Sequence, residues 1–203
     1  MDGLQNKLSD RNRHSIGEEI RKVLIFVGVI WAVFFLDIVL PLSEWFALVP
    51  RFVSGLPGIL AMTFLHKDFG HILANTVPLI VLMTLLAGSR ANSWATVAAL
   101  VIVGGSLLWL FGRNGTDSHI VSHVGASLLV FSLVTFFLSA AWFEMRLVPM
   151  LIAALVGFLY GWSTLMGVIP TGGGISWDGH LCGAIAGVIV ALMQPMIISA
   201  DDS

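Results

Sequence analysis

Six apolar runs constrain this chain more than any other feature; they fall at about residues 23–42, 71–88, 94–112, 120–142, 147–169 and 177–199. A helix needs about 20 mostly apolar residues to cross the hydrocarbon core of a bilayer, and each run meets or approaches that length. The breaks between most of them are short and polar or rich in turn residues: Gly88-Ser89-Arg90-Ala91-Asn92, Arg113-Asn114-Gly115-Thr116-Asp117, Glu144-Met145-Arg146 and Pro170-Thr171-Gly172-Gly173-Gly174. Composition agrees with lipid as the solvent, since 57% of the 203 residues are hydrophobic and 11% are charged, against about 25% charged in a soluble domain. The expected fold is all-α: a polytopic bundle of six transmembrane helices over 23–199, between polar tails at 1–22 and 200–203.

The segment from about 43 to 70 is the exception among the breaks. It sets Glu44, Trp45, Pro50, Arg51, Gly55, Pro57 and Gly58 among apolar residues, too interrupted to span and too apolar for a free loop. An interfacial position suits it, because Trp and amphipathic turns are stable there. The first 22 residues hold five basic and four acidic side chains and no apolar run, and are expected to be a polar, poorly ordered tail. With that tail in the cytoplasm, Lys7, Arg11, Arg13, Arg21, Lys22, Arg90 and Arg146 collect inside and Arg51, Lys67 and Arg113 fall outside, as the positive-inside rule requires. No basic patch points to nucleic acid. The single cysteine, Cys182, excludes an intramolecular disulfide and a cysteine-based metal site.

A polar residue in a membrane helix costs free energy unless it is paired, so its position carries information. In this orientation the second, fourth and sixth helices begin on the outer side, and each carries polar residues early: His71 and Asn75, then Ser127, then His180. At a rise of about 1.5 Å per residue, Ser127 lies roughly 10 Å along the fourth helix and His180 roughly 5 Å along the sixth. Their polar groups can therefore converge at one shallow depth. His71 and Asn75 are four apart and share a helix face. Gly179, Gly183 and Gly187 form a small-residue stripe that lets another backbone approach closely, which would bring His180 to a neighbouring helix.

If that neighbour carries Ser127, His180 can take the proton of a hydroxyl that is a weak nucleophile unaided. Donors for a developing oxyanion are available in the Ser127 backbone N–H, the Asn75 amide and the His71 imidazole. Blander readings exist for each feature. Ser106, Ser132, Ser139 and Ser163 read as residues bonded to their own helix backbone, His66 and His119 as structural, and the glycine stripe as a packing or dimerisation motif. His123, four residues before Ser127 and on its helical face, is the rival base. His66, His71, His119, His123 and His180 near one side could bind zinc, yet no His-Glu-x-x-His pattern occurs and no metal or other cofactor is expected.

These residues resemble the rhomboid intramembrane proteases. The matches are His66-x4-His71-x3-Asn75 at the start of the second helix, Gly125-Ala126-Ser127 in the fourth, and His180-x2-Gly183-x3-Gly187 in the sixth. The resemblance implies a serine endopeptidase that cuts transmembrane segments of membrane-anchored proteins near their outer ends. Ser127 would be the nucleophile, His180 the general base, and His71 and Asn75 oxyanion donors. His66 would hold the first loop to the second helix, and Phe131 would stack beneath the base. The family also has a mobile outer cap and a gate at the fifth helix, and Thr171-Gly172-Gly173-Gly174 has the backbone freedom of a cap. The chain departs from the pattern at Leu128, where the family usually has glycine. Expected surroundings are the lipid bilayer of a bacterial cytoplasmic membrane, with both termini in the cytoplasm. The rival functions are a catalytically silent relative that binds transmembrane segments and a small-molecule transporter; the latter would need more buried charge and an inverted repeat.

Overall fold

The computed structural model describes residues 16–90, 93–116, 119–170 and 176–201. Most of the amino-terminal tail, the Thr171-Gly172-Gly173-Gly174 segment and the last two residues lie outside the described residues, as does the His119 side chain. In chain order the elements are α1 (Ile16–Asp37), α2 (Leu42–Phe46), a 3-10 turn (Val53–Gly55), α3 (Gly58–Ala61), a second 3-10 turn (Met62–Phe64), α4 (Phe69–Ser89) and α5 (Ser93–Phe111). A two-residue antiparallel pair, β1 (Gly115–Thr116) with β2 (His119–Ile120), precedes α6 (Ser127–Glu144), α7 (Leu147–Gly167) and α8 (Trp177–Asp201). Among the described residues the regular structure is otherwise helical, apart from an isolated antiparallel bridge between Leu48 and His123.

Among the described residues, five helices are long and apolar enough to cross a membrane: α4, α5, α6, α7 and the first part of α8, Trp177–Gln194. The first of the six expected runs is shorter than the sequence implies. Its helix begins at Ile16, inside the expected polar tail, and Glu18, Glu19, Arg21 and Lys22 occupy its first turns. Acidic residues suit a helix N-terminus, and Glu19 is further held by Lys22 Nζ at 2.6 Å and by Ser93 Oγ at 3.0 Å. The helix ends at Asp37 rather than near 42, because the Asp37 carboxylate accepts the Ser43 backbone N–H at 2.8 Å and the Ser43 hydroxyl, turning the chain into α2. The uninterrupted apolar stretch, 23–36, falls short of the roughly 20 residues of a full span.

The segment between α1 and α4 folds into short helices and turns. Leu48 and Met62 are buried beneath it, while Trp45, Phe46, Phe52, Val53 and Leu60 are exposed. Its outer turns are fastened to the end of α5: Arg51 Nη1 donates to the carbonyls of Leu110 and Gly112 at 3.2 and 2.7 Å, and Trp109 Nε1 donates to the Phe52 carbonyl at 2.9 Å.

At the centre stands α6, the most buried of the five apolar helices, while α7 is the least buried. Its closest neighbour is α8, because a Cβ at Gly183 or Gly187 would collide with the α6 backbone at Leu128 or Ser132. Lipid tails are as apolar as leucine, so helices associate in a bilayer by close packing and interhelical hydrogen bonds. Here Thr135 Oγ1 of α6 supplies such a bond to the Ala184 carbonyl of α8 at 2.8 Å.

The expected fourth helix, 120–142, starts late: α6 opens at Ser127. Residues before it are extended because His123 pairs through its backbone with Leu48, His123 N–H to Leu48 O at 2.8 Å and Leu48 N–H to His123 O at 3.1 Å. Gly125 then takes a φ of 119°, which an L side chain rarely adopts. Ser127 therefore stands at the first helical position rather than two turns in, and His123 lies on no helix face with it.

Candidate active site

A cavity of about 670 Å³ opens between the start of α4, the segment 122–124, the first turns of α6, the second half of α7 and the start of α8. Ser127, His180, His71, Asn75 and Phe131 all line it. Gly125, Gly183, Gly187 and His66 do not line the cavity.

Ser127 owes its place to the turn before it. A Cβ at Gly125 would lie 2.5 Å from His71 Cε1 and 2.7 Å from His71 Nε2, so glycine is what lets that imidazole abut the backbone. The Gly125 N–H donates to the Met62 carbonyl at 2.9 Å, and the Ala126 N–H donates to His66 Nε2 at 3.4 Å. The first turn of a helix leaves its N–H groups without intrahelical acceptors, and the helix places partial positive charge there. In α6 the first intrahelical bond is Val130 N–H to Ala126 O, so the N–H groups of Ser127, Leu128 and Leu129 have none. A growing negative charge beside Ser127 would meet these donors.

His66 thus braces the serine turn as well as standing against His71, whose ring meets it edge to face at 5.2 Å. Burial, with the neighbouring His71 adding to it, holds His66 down to about 4, so it is neutral and its Nε2 can accept. On α4, Asp68 caps the helix by accepting the His71 N–H at 2.8 Å, and the Asn75 Nδ2 donates to the His71 carbonyl at 2.9 Å. That leaves Asn75 a second amide hydrogen.

His180 is held on two sides. Its ring stacks on Phe131 with centroids 4.0 Å apart and planes 10° from parallel. Its Nδ1 lies 2.9 Å from the Gly167 carbonyl oxygen at the end of α7. A carbonyl can only accept, so the neutral ring carries its proton on Nδ1 and exposes a lone pair on Nε2. Such a nitrogen can take a proton from a hydroxyl in the same cavity.

The rival base has other work. His123 is 3% exposed, and both ring nitrogens are engaged: Nδ1 with Ser176 Oγ at 2.7 Å, Nε2 with the Arg113 carbonyl at 3.2 Å and 3.6 Å from Asp178 Oδ2. Burial lowers its pKa, against the opposing pull of Asp178. Asp178 in turn accepts the Arg113 backbone N–H at 2.8 Å and its Nη2 at 3.1 Å. Sequence reasoning passed over Asp178 and Ser176; a carboxylate at the head of an apolar helix, where an unpaired charge is costly, was the available signal. Among the described residues no three His, Cys, Asp or Glu side chains are grouped to hold a metal.

Leu128 does not line the cavity. Its side chain fills the gap left by Gly104 of α5, where a Cβ would lie 2.6 Å from Leu128 Cδ2, and joins Leu48, Met62, Leu108 and Cys182 in a buried cluster.

Comparison with known proteins gives a consistent result. The family model for the Rhomboid domain matches residues 54–195. An uncharacterized protein of Mycobacterium bovis is 39% identical over 149 residues, covering 71% of this chain and 61% of the relative. One of Mycobacterium leprae is 41% identical over 140 residues, covering 67% and 55%. A protein of Acanthamoeba polyphaga mimivirus named as a rhomboid protein is 29% identical over 139 residues, covering 68% and 74%. The chain thus spans about three fifths of the length of the mycobacterial relatives it matches. The matched region runs from the first 3-10 turn to Pro195 in α8 and takes in every wall of the cavity; with its apolar helices, this chain is a multi-pass membrane protein that belongs to the rhomboid family.

Proposed function

We propose that the chain is an intramembrane serine endopeptidase that cleaves transmembrane segments of membrane-anchored proteins with a Ser127–His180 dyad. The observation that carries this reading is the commitment of His180 Nδ1 to a carbonyl, which leaves Nε2 free in the cavity that Ser127 lines. The Ser127 hydroxyl attacks the scissile carbonyl carbon while Nε2 takes its proton. The Ser127 N–H, the Asn75 amide and the His71 imidazole receive the oxyanion. Collapse of the tetrahedral adduct breaks the C–N bond, His180 returns the proton to the leaving amine, and an acyl-enzyme remains. Water activated by the same nitrogen then releases the acid.

Two features fit a substrate that arrives through lipid. Ala74, Pro78, Val130 and Val134 line the cavity between α4 and α7, and α7 is the least buried of the five apolar helices. In this proposal α1 is the sixth span, its polar ends in the headgroup layers, both termini are cytoplasmic, and the membrane is a bacterial cytoplasmic one. A catalytically silent relative is the weaker reading, since Leu128 projects away from the cavity.

A fluorophosphonate probe on detergent-solubilised protein tests the proposal. Wild type is expected to be labelled and Ser127→Ala is expected not to be; equal labelling of both would remove Ser127 as the nucleophile.

A further inference from the structure

A serine nucleophile is activated by a base that is itself oriented by a third group. In soluble triads that group is a carboxylate. Asp178 is the nearby candidate by sequence, yet its oxygens are taken by Arg113, with His123 beside it. We propose that Gly167 fills this role as a positioning residue: its backbone carbonyl holds the Nδ1–H of His180, fixes the tautomer, and keeps the Nε2 lone pair directed to Ser127. The inference rests on the Ser127–His180 reading and adds to it the group that aims the base.

Three observations converge on Gly167. It is the last residue of α7, and the last carbonyls of a helix have no intrahelical donor, so this oxygen is available to an outside N–H. The 2.9 Å separation from His180 Nδ1 is that of a well-formed hydrogen bond. The residue is also packed edge to edge with the stack: a Cβ there would lie 2.8 Å from Phe131 Cε1 and 3.2 Å from His180 Nδ1. A side chain at 167 would force apart the ring, the base and the helix end.

The position also has an electrostatic consequence. A helix C-terminus carries partial negative charge and favours a cation placed against it. When Nε2 takes the serine proton, the imidazolium forms against the C-terminal carbonyl of α7, and the Nδ1–H bond becomes charge-assisted and stronger. A neutral backbone group thereby does for the base what a carboxylate does elsewhere, without placing a formal charge in the bilayer. Because α7 is the least buried of the apolar helices, the aim of the base depends on a helix that packs on the bundle by one flank.

Ring-¹⁵N spectra of histidine-labelled protein test this directly, with the His180 signals assigned by their loss in His180→Ala. Neutral wild-type His180 is expected to carry its proton on Nδ1. In Gly167→Ala the signals are expected to move toward a mixture of tautomers, with kcat on a reporter transmembrane substrate down about 10- to 100-fold and KM within about twofold, as for a weakened general base. An Nε2–H tautomer in wild type overturns the proposal, and that measurement decides alone if Gly167→Ala fails to fold. So does Gly167→Ala with a shifted tautomer and an unchanged kcat. Probe labelling of Ser127 separates the two ideas: labelling that needs Ser127 beside an Nε2–H tautomer removes Gly167 and leaves Ser127 as the nucleophile.

Discussion

His66 shows how a single side chain ties stability to pH in this fold. Its Nε2 accepts the Ala126 N–H, which a protonated ring cannot do, and burial with the neighbouring His71 holds its pKa at about 4. An unfolded histidine titrates near 6.5, so between these values the unfolded chain binds the proton that the folded one refuses. Stability from this group is complete above about pH 6.5 and is lost as pH falls toward 4. Thermal unfolding in detergent is expected to show a midpoint that drops through that window. His66→Gln, whose amide oxygen can still accept, should flatten the drop; an equal slope in wild type and variant would clear His66 of the effect.

At the scale of elements, Leu128 is accommodated by a glycine on another helix. The family's usual glycine at this position would leave a gap opposite α5, and here the leucine occupies it by resting on Gly104. Gly104→Leu should therefore force α5 and α6 apart and cost about 1–3 kcal/mol of stability, as other overpacked sites do, which a lower unfolding midpoint reads. Leu128→Gly in that background should recover much of the loss, a coupling that a double-mutant cycle reads. Additive effects would mean that the two residues do not share the space.

The same elements show what could be read ahead of the structure. Hydropathy located the apolar helices, and polar residues within apolar runs singled out Ser127, His180, His71 and Asn75. It could not locate the start of α6, because Ile120, Val121 and Val124 are as apolar as a helix and as β-prone as a strand. The decision falls to a backbone pairing with Leu48, far away in the chain. Gly167 was illegible for a different reason: it contributes a carbonyl, which every residue has. Pairing between His123, Ser176, Asp178 and Arg113 was equally hidden, since three separate segments supply it.

At the scale of the whole molecule, that polar cluster joins the end of α5, the strand before α6 and the head of α8 above the cavity. Arg113 is 48% exposed, so its charge pair with Asp178 contributes little by itself. The buried partners matter more. Asp178→Ala leaves the part-buried Arg113 backbone N–H without its partner and removes the carboxylate beside buried His123, at a cost of about 1–3 kcal/mol. A lower unfolding midpoint is the expected outcome, and an unchanged one would show that water replaces the carboxylate.

The sparse burial of α7 reaches beyond the protein. A hydrophobic helix adjusts its tilt when the surrounding hydrocarbon is thicker or thinner than its own length, and the least buried of the five apolar helices is the freest to do so. Acyl-chain length then becomes an input to the cavity's geometry, so the same polypeptide would work at different rates in membranes of different thickness.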